Sequence, residues 1–172
     1  FNSADNFLKQ YQKGRSGFVD TQSYLSFAEN DYAFFKESVR AGMVYNALPA
    51  LAQNACEKYL KDIIDRHFEP LNEKEDISKT NILRTHSLTK LLRFIEDNLN
   101  VSISEKTKDA IEGADGYYFS TRYPGDNSIT VNERDIRKSD IALEHTKNLY
   151  WELEKILERS EPIIDHDDDL CL

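Results

Sequence analysis

One arginine of this sequence lies among three tyrosines. Arg122 stands next to Tyr123 and a few residues after Tyr117 and Tyr118. A guanidinium binds a phosphate through paired hydrogen bonds, and a phenol ring offers a face on which a nucleobase stacks. The residue types therefore predict a ligand-binding site at Arg122, Tyr118 and Tyr123. The structural alternative, which we favour at this point, is that the tyrosines continue an apolar stripe and that Arg122 pairs with Asp126 or with a helix C-terminus.

A second arginine is two helical turns away from a histidine. Arg137 and His145 fall on one predicted helix near the end of the chain. An arginine can hold a phosphate while a nearby histidine moves a proton near neutral pH, so the two residues are candidates for catalysis. The structural alternative, which we favour, is a solvated His145 beside Glu144.

A third candidate site lies before another predicted helix. His86 is close in sequence to Arg84 and Lys90, and the three side chains are candidates to line a ligand-binding cleft. The more common role of a histidine in this position is a hydrogen bond near the first turn of the helix, which fixes the preceding loop. We interpret Lys58 and Lys61 as solvated partners of Glu57 and Asp62.

Metal and cofactor sites are not indicated by the sequence. It contains no G-x-x-x-x-G-K-[ST] loop, no G-x-G-x-x-G and no H-E-x-x-H, and its four histidines do not lie at ligand spacing. Cys56 and Cys171 form neither a metal-binding spacing nor a disulfide framework, and Cys56 reads as a small buried thiol. We therefore expect no metal and no cofactor.

The composition limits the classes of partner. The chain has 172 residues, 40% of them apolar, with 22 basic and 31 acidic residues, which gives a net charge of −9. This length predicts a single globular domain. We do not expect RNA as a partner, because binding to its phosphates favours a basic protein surface. No apolar run is long enough to span a membrane. The features are compatible with a cytoplasmic protein, and the first residue, Phe1, leads us to expect a longer parent chain.

Apolar residues recur every three or four positions and predict an all-α, up-and-down antiparallel bundle of about five helices. Residues 69–82 are polar, contain Pro70 and read as a loop. The predicted helices cover about 21–41, 46–64 with Asn46 as N-cap, 87–98, a segment from Ser104 through Tyr118, and 132–159. The predicted core contacts are Leu51, Ala55, Leu60, Leu92, Leu149 and Leu153.

The two ends of the chain differ from the bundle. We expect an N-terminal extension over residues 1–20, the bundle over 21–160, and a mobile acidic tail over 161–172.

Three motifs, in order along the chain, resemble those of HEPN domains. Residues 52–61, AQNACEKYLK, resemble the second-helix string A-Q-x-A-x-E-K-x-L-K of that family. The residues His86-Ser87-Leu88 resemble its His-x-Leu opening of the third helix, and residues 117–126, YYFSTRYPGD, resemble its R-Y-P-D turn before the last helix. The resemblance covers roughly residues 22–160 and implies a helical bundle that dimerises.

The family resemblance implies several functions. Some HEPN domains are RNA-cleaving toxins with an arginine and a histidine separated by four to six residues, some accompany nucleotidyltransferases, and others are thought to bind nucleotides. Seven residues separate Arg137 from His145, and ten separate Arg134 from His145. Six residues separate Arg159 from His166, but Pro162 intervenes and aspartates surround His166.

Three hypotheses follow. The first is a homodimeric module that binds a nucleotide, an acidic ligand or a partner protein, in association with a nucleotidyltransferase or a toxin–antitoxin system. The second is a metal-independent ribonuclease, and the third is a purely structural dimerisation domain of a longer protein. The acidic charge and the departure from the family's spacing favour the first hypothesis.

Overall fold

The computed structural model describes residues 22–160, and this part of the chain is helical with no strand. The all-α prediction is confirmed, with six helices and one four-residue helical turn rather than about five helices. None of the described helices is both long and apolar enough to cross a membrane. The segments are α1 (Tyr24–Arg40), α2 (Ala47–His67), α3 (Glu73–Leu83), α4 (Leu88–Leu99), α5 (Glu105–Glu112), α6 (Tyr117–Ser120) and α7 (Glu133–Ser160).

The predicted extension over residues 1–20 and the predicted tail over residues 161–172 lie outside the described residues. The same holds for His166, so the Arg159–His166 spacing remains a feature of the sequence alone.

Helix α2 is the centre of the bundle and packs against α1, α3, α4, α6 and α7. Its apolar stripe covers about five turns and lies in the core, and polar residues outside the stripe are also buried because other helices pack on the remaining faces. The helix begins after Asn46, as predicted, and Pro49 lies in its first turn, where the missing N–H costs little. The Asn46 side chain caps no α2 amide; its Oδ1 instead accepts a hydrogen bond from the Val131 N–H at 3.1 Å.

The order of the contacts along each helix gives the helix directions. Contacts from α1 to α2 pair Leu25 with Asp62 and Asp31 with Lys58, so these two consecutive helices are antiparallel. Contacts from α2 to α7 pair Asp62 with Tyr150 and Arg66 with Glu154, so these two non-consecutive helices run parallel. The parallel arrangement brings the first turn of α7 beside the first turn of α2.

The prediction of a loop over residues 69–82 is wrong, because α3 occupies most of this segment. Asn72 caps this helix by accepting from the Glu75 N–H at 3.0 Å, and the Glu75 carboxylate accepts from the Leu71 N–H at 2.9 Å. Lys79 donates to the carbonyls of Asp65 and Phe68 at the end of α2, at 2.8 and 2.9 Å. No α3 residue is buried, so the helix lacks the apolar period that identified the others.

The helix predicted from Ser104 through Tyr118 is divided in two. Ser104 does cap α5, but the chain then turns at Gly116, whose φ of 95° favours glycine, before α6 begins. The turn places the Asp115 carboxylate at the start of α4, where it accepts from the Leu88 N–H at 3.1 Å and the Thr89 N–H at 3.2 Å. The break therefore ties the turn before α6 to the start of α4, while α6 itself packs against α2.

The predicted core contacts are mostly confirmed. Leu51 is the exception, since it is only half-buried and lines a pocket. Cys56 is buried, as predicted, and burial raises the pKa of its thiol to about 12. The confirmed core positions are Ala55, Leu60, Leu92, Leu149 and Leu153.

Candidate functional site

One buried glutamine joins three segments that are far apart in the sequence. The Gln53 amide, on α2, donates from Nε2 to the His86 carbonyl at 2.7 Å. Its Oε1 accepts from the Tyr118 N–H at 2.7 Å. Gln53 is fully buried, so both bonds are shielded from water. This side chain fixes the loop before α4 and the start of α6 against α2.

A glutamate one turn later on α2 orients the histidine. Oε2 of Glu57 lies 3.1 Å from Nδ1 of His86 and 3.4 Å from Nζ of Lys61. The Glu57 side chain is buried, whereas the His86 side chain is 42% exposed. A carboxylate accepts but cannot donate, so the proton of this hydrogen bond is carried by Nδ1 of His86.

The histidine begins a stack of rings that ends at an arginine. The His86 and Tyr118 rings are parallel within 6°, with centroids 4.3 Å apart. The Arg122 guanidinium lies 4.5 Å from the centroid of the Tyr118 ring, and Phe119 packs edge-on against Tyr118. We refer to Glu57, His86, Tyr118 and Arg122 as the open cluster.

Arg122 is exposed, and no carboxylate of residues 22–160 forms a salt bridge with it. The predicted pairing of Arg122 with Asp126 is therefore absent. The ring contact holds the guanidinium without neutralising its charge.

A pocket of about 500 Å³ opens beside the stack, between the C-terminal half of α1, the first two turns of α2 and the segment after α6. This volume is in the usual range for small-molecule sites. Among the described residues that line the pocket, Arg122 alone is charged. The lining residues are Phe34, Asn46, Ala47, Leu48, Ala50, Leu51, Asn54, Tyr118, Thr121 and Arg122.

The structure brings together three of the five predicted ligand-binding residues, namely His86, Tyr118 and Arg122. Tyr123 is 73% exposed and does not line the pocket. Arg84 is exposed and caps the C-terminus of α3.

Tyr117, the remaining tyrosine near Arg122, is buried. Its hydroxyl donates to Asp135 at 2.9 Å. Burial and this hydrogen bond raise the pKa of Tyr117 to about 12.

The predicted catalytic residues Arg137 and His145 lie apart from this pocket on α7. A step of eight positions along the helix places their Cα atoms about 12 Å apart along the helix axis. Arg137 is 71% exposed and lies 3.9 Å from Glu133, and His145 is half-buried. A catalytic role for the two residues stays a prediction.

Sequence reasoning missed the polar residues of α2. Lys61 was interpreted as solvated, but it is 7% exposed and forms a salt bridge with Glu57. Lys58 was also interpreted as solvated, but it is half-buried and forms a salt bridge with Asp31. The sequence does contain a signal, because Gln53, Glu57 and Lys61 recur every four residues and so form a polar row beside the apolar stripe of the helix.

A second polar cluster lies at the other end of α2. The Arg66 guanidinium donates to Glu154 at 2.6 Å and to the Tyr150 hydroxyl at 3.2 Å, and Nε2 of His67 lies 2.6 Å from the same Glu154 carboxylate. The Tyr150 hydroxyl donates to Asp62 at 2.8 Å. We refer to Arg66, His67, Tyr150 and Glu154 as the closed cluster.

Two buried carboxylates at this end of α2 have shifted pKa values: Glu154 of the closed cluster and Asp62 beside it. Burial raises the pKa of Asp62, and hydrogen bonds from Tyr150 and the Leu25 N–H offset only part of that change. Burial also acts to raise the pKa of Glu154, but hydrogen bonds and charge from His67 and Arg66 outweigh it and hold that pKa below its usual value. Within residues 22–160, no three His, Cys, Asp or Glu side chains gather as a metal site.

Comparison with known proteins identifies one family. The model of the HEPN domain matches residues 21–165, which is most of the chain. No curated protein and no solved structure matches the sequence. The matched range contains the open cluster, the pocket and all three motifs that meet at Gln53.

Proposed function

Because the chain belongs to the HEPN domain family, we propose that it binds a nucleotide in the pocket beside the open cluster. The observation that carries the proposal is the state of Arg122, whose charge is held against the Tyr118 ring and is not neutralised by a described carboxylate. A free guanidinium next to a pocket of nucleotide size attracts a phosphate.

The rest of the pocket supports the same ligand class. Phe34 and Leu51 offer apolar surface for a flat ring, and the exposed fraction of the Phe34 side chain is 61%. The net charge of −9 disfavours a long polyanion, whereas a single nucleotide needs only a local cation.

Calorimetric titration of the four nucleoside 5′-monophosphates and their uncharged nucleosides tests the proposal. We expect the monophosphates to bind and the nucleosides to bind far more weakly. Arg122→Ala should lower monophosphate affinity by about tenfold or more, because a charge-assisted contact is lost. Arg93→Ala removes another exposed arginine, on α4, and is the matched control. Equal binding by wild type and Arg122→Ala would contradict the proposal.

A metal-independent ribonuclease is the second candidate, and the Glu57–His86 hydrogen bond is the observation that favours it. In that reaction Nε2 of His86 would accept the proton of an RNA 2′-hydroxyl. The 2′-oxygen would attack phosphorus to form a 2′,3′-cyclic phosphate, and the bond to the 5′-oxygen would break. That oxygen would take a proton from water, and the proton on Nε2 of His86 would return to the solvent.

The first proposal predicts no cleavage of single-stranded RNA above background in the presence of chelator. Cleavage abolished by His86→Gln, but not by His145→Gln, would favour the second candidate with His86 as the base. Cleavage abolished by His145→Gln would instead favour the Arg137–His145 hypothesis.

We also propose that the protein forms a homodimer, which membership of the family supports. Light scattering should give twice the 20.0 kDa of the single chain. A mass of one chain at all micromolar concentrations would contradict a stable dimer. A nucleotidyltransferase partner is a further proposal, and co-purification with the product of a neighbouring nucleotidyltransferase gene tests it.

A further inference from the structure

Three residues of α2 form a row that faces the pocket. Asn46, Ala50 and Asn54 are spaced by four positions, immediately before and within the first two turns of the helix, and all three line the pocket. Ala50 is small, so the row has a polar residue at each end and room for a flat ring in the middle. Phe34 and Leu51 supply apolar contacts next to it.

The two asparagines differ in what they offer a ligand. Oδ1 of Asn46 already accepts the Val131 N–H, so one of the two lone pairs of this oxygen is used within the protein. Asn54 is half-buried. Its side-chain amide forms no hydrogen bond with the other described residues, so both its donor and its acceptor are available to a ligand. Asn54 therefore presents one donor and one acceptor, side by side.

We propose that Asn54 reads the base edge and that the pocket selects an adenine nucleotide, an inference that rests on the proposed nucleotide binding. Adenine presents an N6 donor next to an N7 acceptor, and an asparagine amide matches both at once. Guanine presents two acceptors, O6 and N7, at the same edge, so the Asn54 carbonyl oxygen would face another acceptor.

The remaining lining residues favour the same selection. The Watson–Crick edge of guanine carries donors that a carboxylate would satisfy, and no Asp or Glu is among the described residues that line the pocket. Cytosine offers a donor and an acceptor, but its single ring would stack on less of Phe34 and Leu51 than a purine does. Arg122 remains available for the phosphate, because the base is read by uncharged groups.

Calorimetric titration with AMP, GMP and CMP tests the selection directly. We expect AMP to bind about tenfold more tightly than GMP, which is the discrimination typical of one bidentate amide contact, with CMP between them. Asn54→Ala should bring the AMP and GMP affinities to within about twofold of each other. Asn54→Asp keeps the shape but replaces the donor with an acceptor, which would face N7 of adenine and weaken AMP binding. The carboxylate would instead accept from the N1 and N2 donors at the Watson–Crick edge of guanine, so the order of AMP and GMP should reverse. Asn98→Ala, which replaces another asparagine at an exposed position on α4, is the control.

The outcomes separate this inference from the proposed function. Equal affinities of wild type for AMP and GMP would overturn the adenine selection and leave nucleotide binding intact. An AMP preference that survives both Asn54 variants, each confirmed as folded by its melting curve, would overturn the role of Asn54. Failure of all three monophosphates to bind would overturn the proposed function together with the inference.

Discussion

The open cluster and the closed cluster contain the same four residue types in different states. Each has one arginine, one histidine, one tyrosine and one glutamate. In the closed cluster Arg66 bonds to the Glu154 carboxylate and to the Tyr150 hydroxyl. In the open cluster the nearest described partner of Arg122 is the face of the Tyr118 ring.

This difference indicates which cluster stabilises the fold and which cluster is available to bind a ligand. The glutamate of the closed cluster is shared by the arginine and the histidine, so its charge is used within the bundle. Glu57 of the open cluster is shared by Lys61 and His86, and Arg122 is left outside that pairing. Residue type alone therefore does not decide the role; the location of the counter-charge does.

The largest expected loss of stability comes from breaking the closed cluster. Glu154→Gln leaves Arg66 and His67 without their shared carboxylate in a buried setting. We expect the free energy of unfolding to fall by about 3 kcal/mol, measured by urea denaturation. Glu152→Gln, at an exposed position on the same helix, is the control. A loss equal to that of the control would show that the closed cluster contributes no stability.

A smaller loss is expected at the buried end of the open cluster. Glu57→Gln keeps an oxygen that can accept from His86 but leaves Lys61 buried without its counter-charge. The free energy of unfolding should fall by about 1–2 kcal/mol, and the double variant Glu57→Gln/Lys61→Met should recover part of it. A loss as large as that of Glu154→Gln would erase the distinction between the clusters.

The smallest expected effect is a pH dependence that Glu154 of the closed cluster produces. The pKa of Glu154 is below its ordinary value of 4.5 in the folded protein. The contribution of Glu154 to stability is therefore present above pH 4.5 and is lost as the pH falls through the lower, folded-state pKa. Urea denaturation from pH 6 downward should show a smaller acid loss in Glu154→Gln than in wild type. Identical profiles would contradict this assignment.

The helices with an apolar period could be predicted from the sequence, and α3 could not. The stripe of α2 and the caps Ser87 and Ser104 locate their helices because burial and capping leave local signals. Helix α3 buries no residue, and its support includes the Asn72–Glu75 cap and the contact of Lys79 with the end of α2. A prediction based on apolar residues overlooks such a helix.

The candidate site was only partly accessible to sequence reasoning. Motifs identified His86, Tyr118 and Arg122 as candidates. Gln53, the residue that joins their segments, forms bonds to partners 33 and 65 positions away in the sequence. Those partners depend on the rotation of α2 and on the break before α6 at Gly116, neither of which a pattern of spacing determines.

Replacement of the two arginines in parallel tests the central claim most directly. Arg66→Ala and Arg122→Ala are each measured for unfolding free energy and for affinity toward the four nucleoside monophosphates. The account predicts that Arg66→Ala loses about 2–3 kcal/mol of stability and retains binding, since the buried Glu154 carboxylate loses one of its two partners and keeps only His67. It predicts that Arg122→Ala changes stability by less than about 0.5 kcal/mol and lowers affinity about tenfold. Unchanged affinity in Arg122→Ala, or a loss of stability matching that of Arg66→Ala, would contradict it.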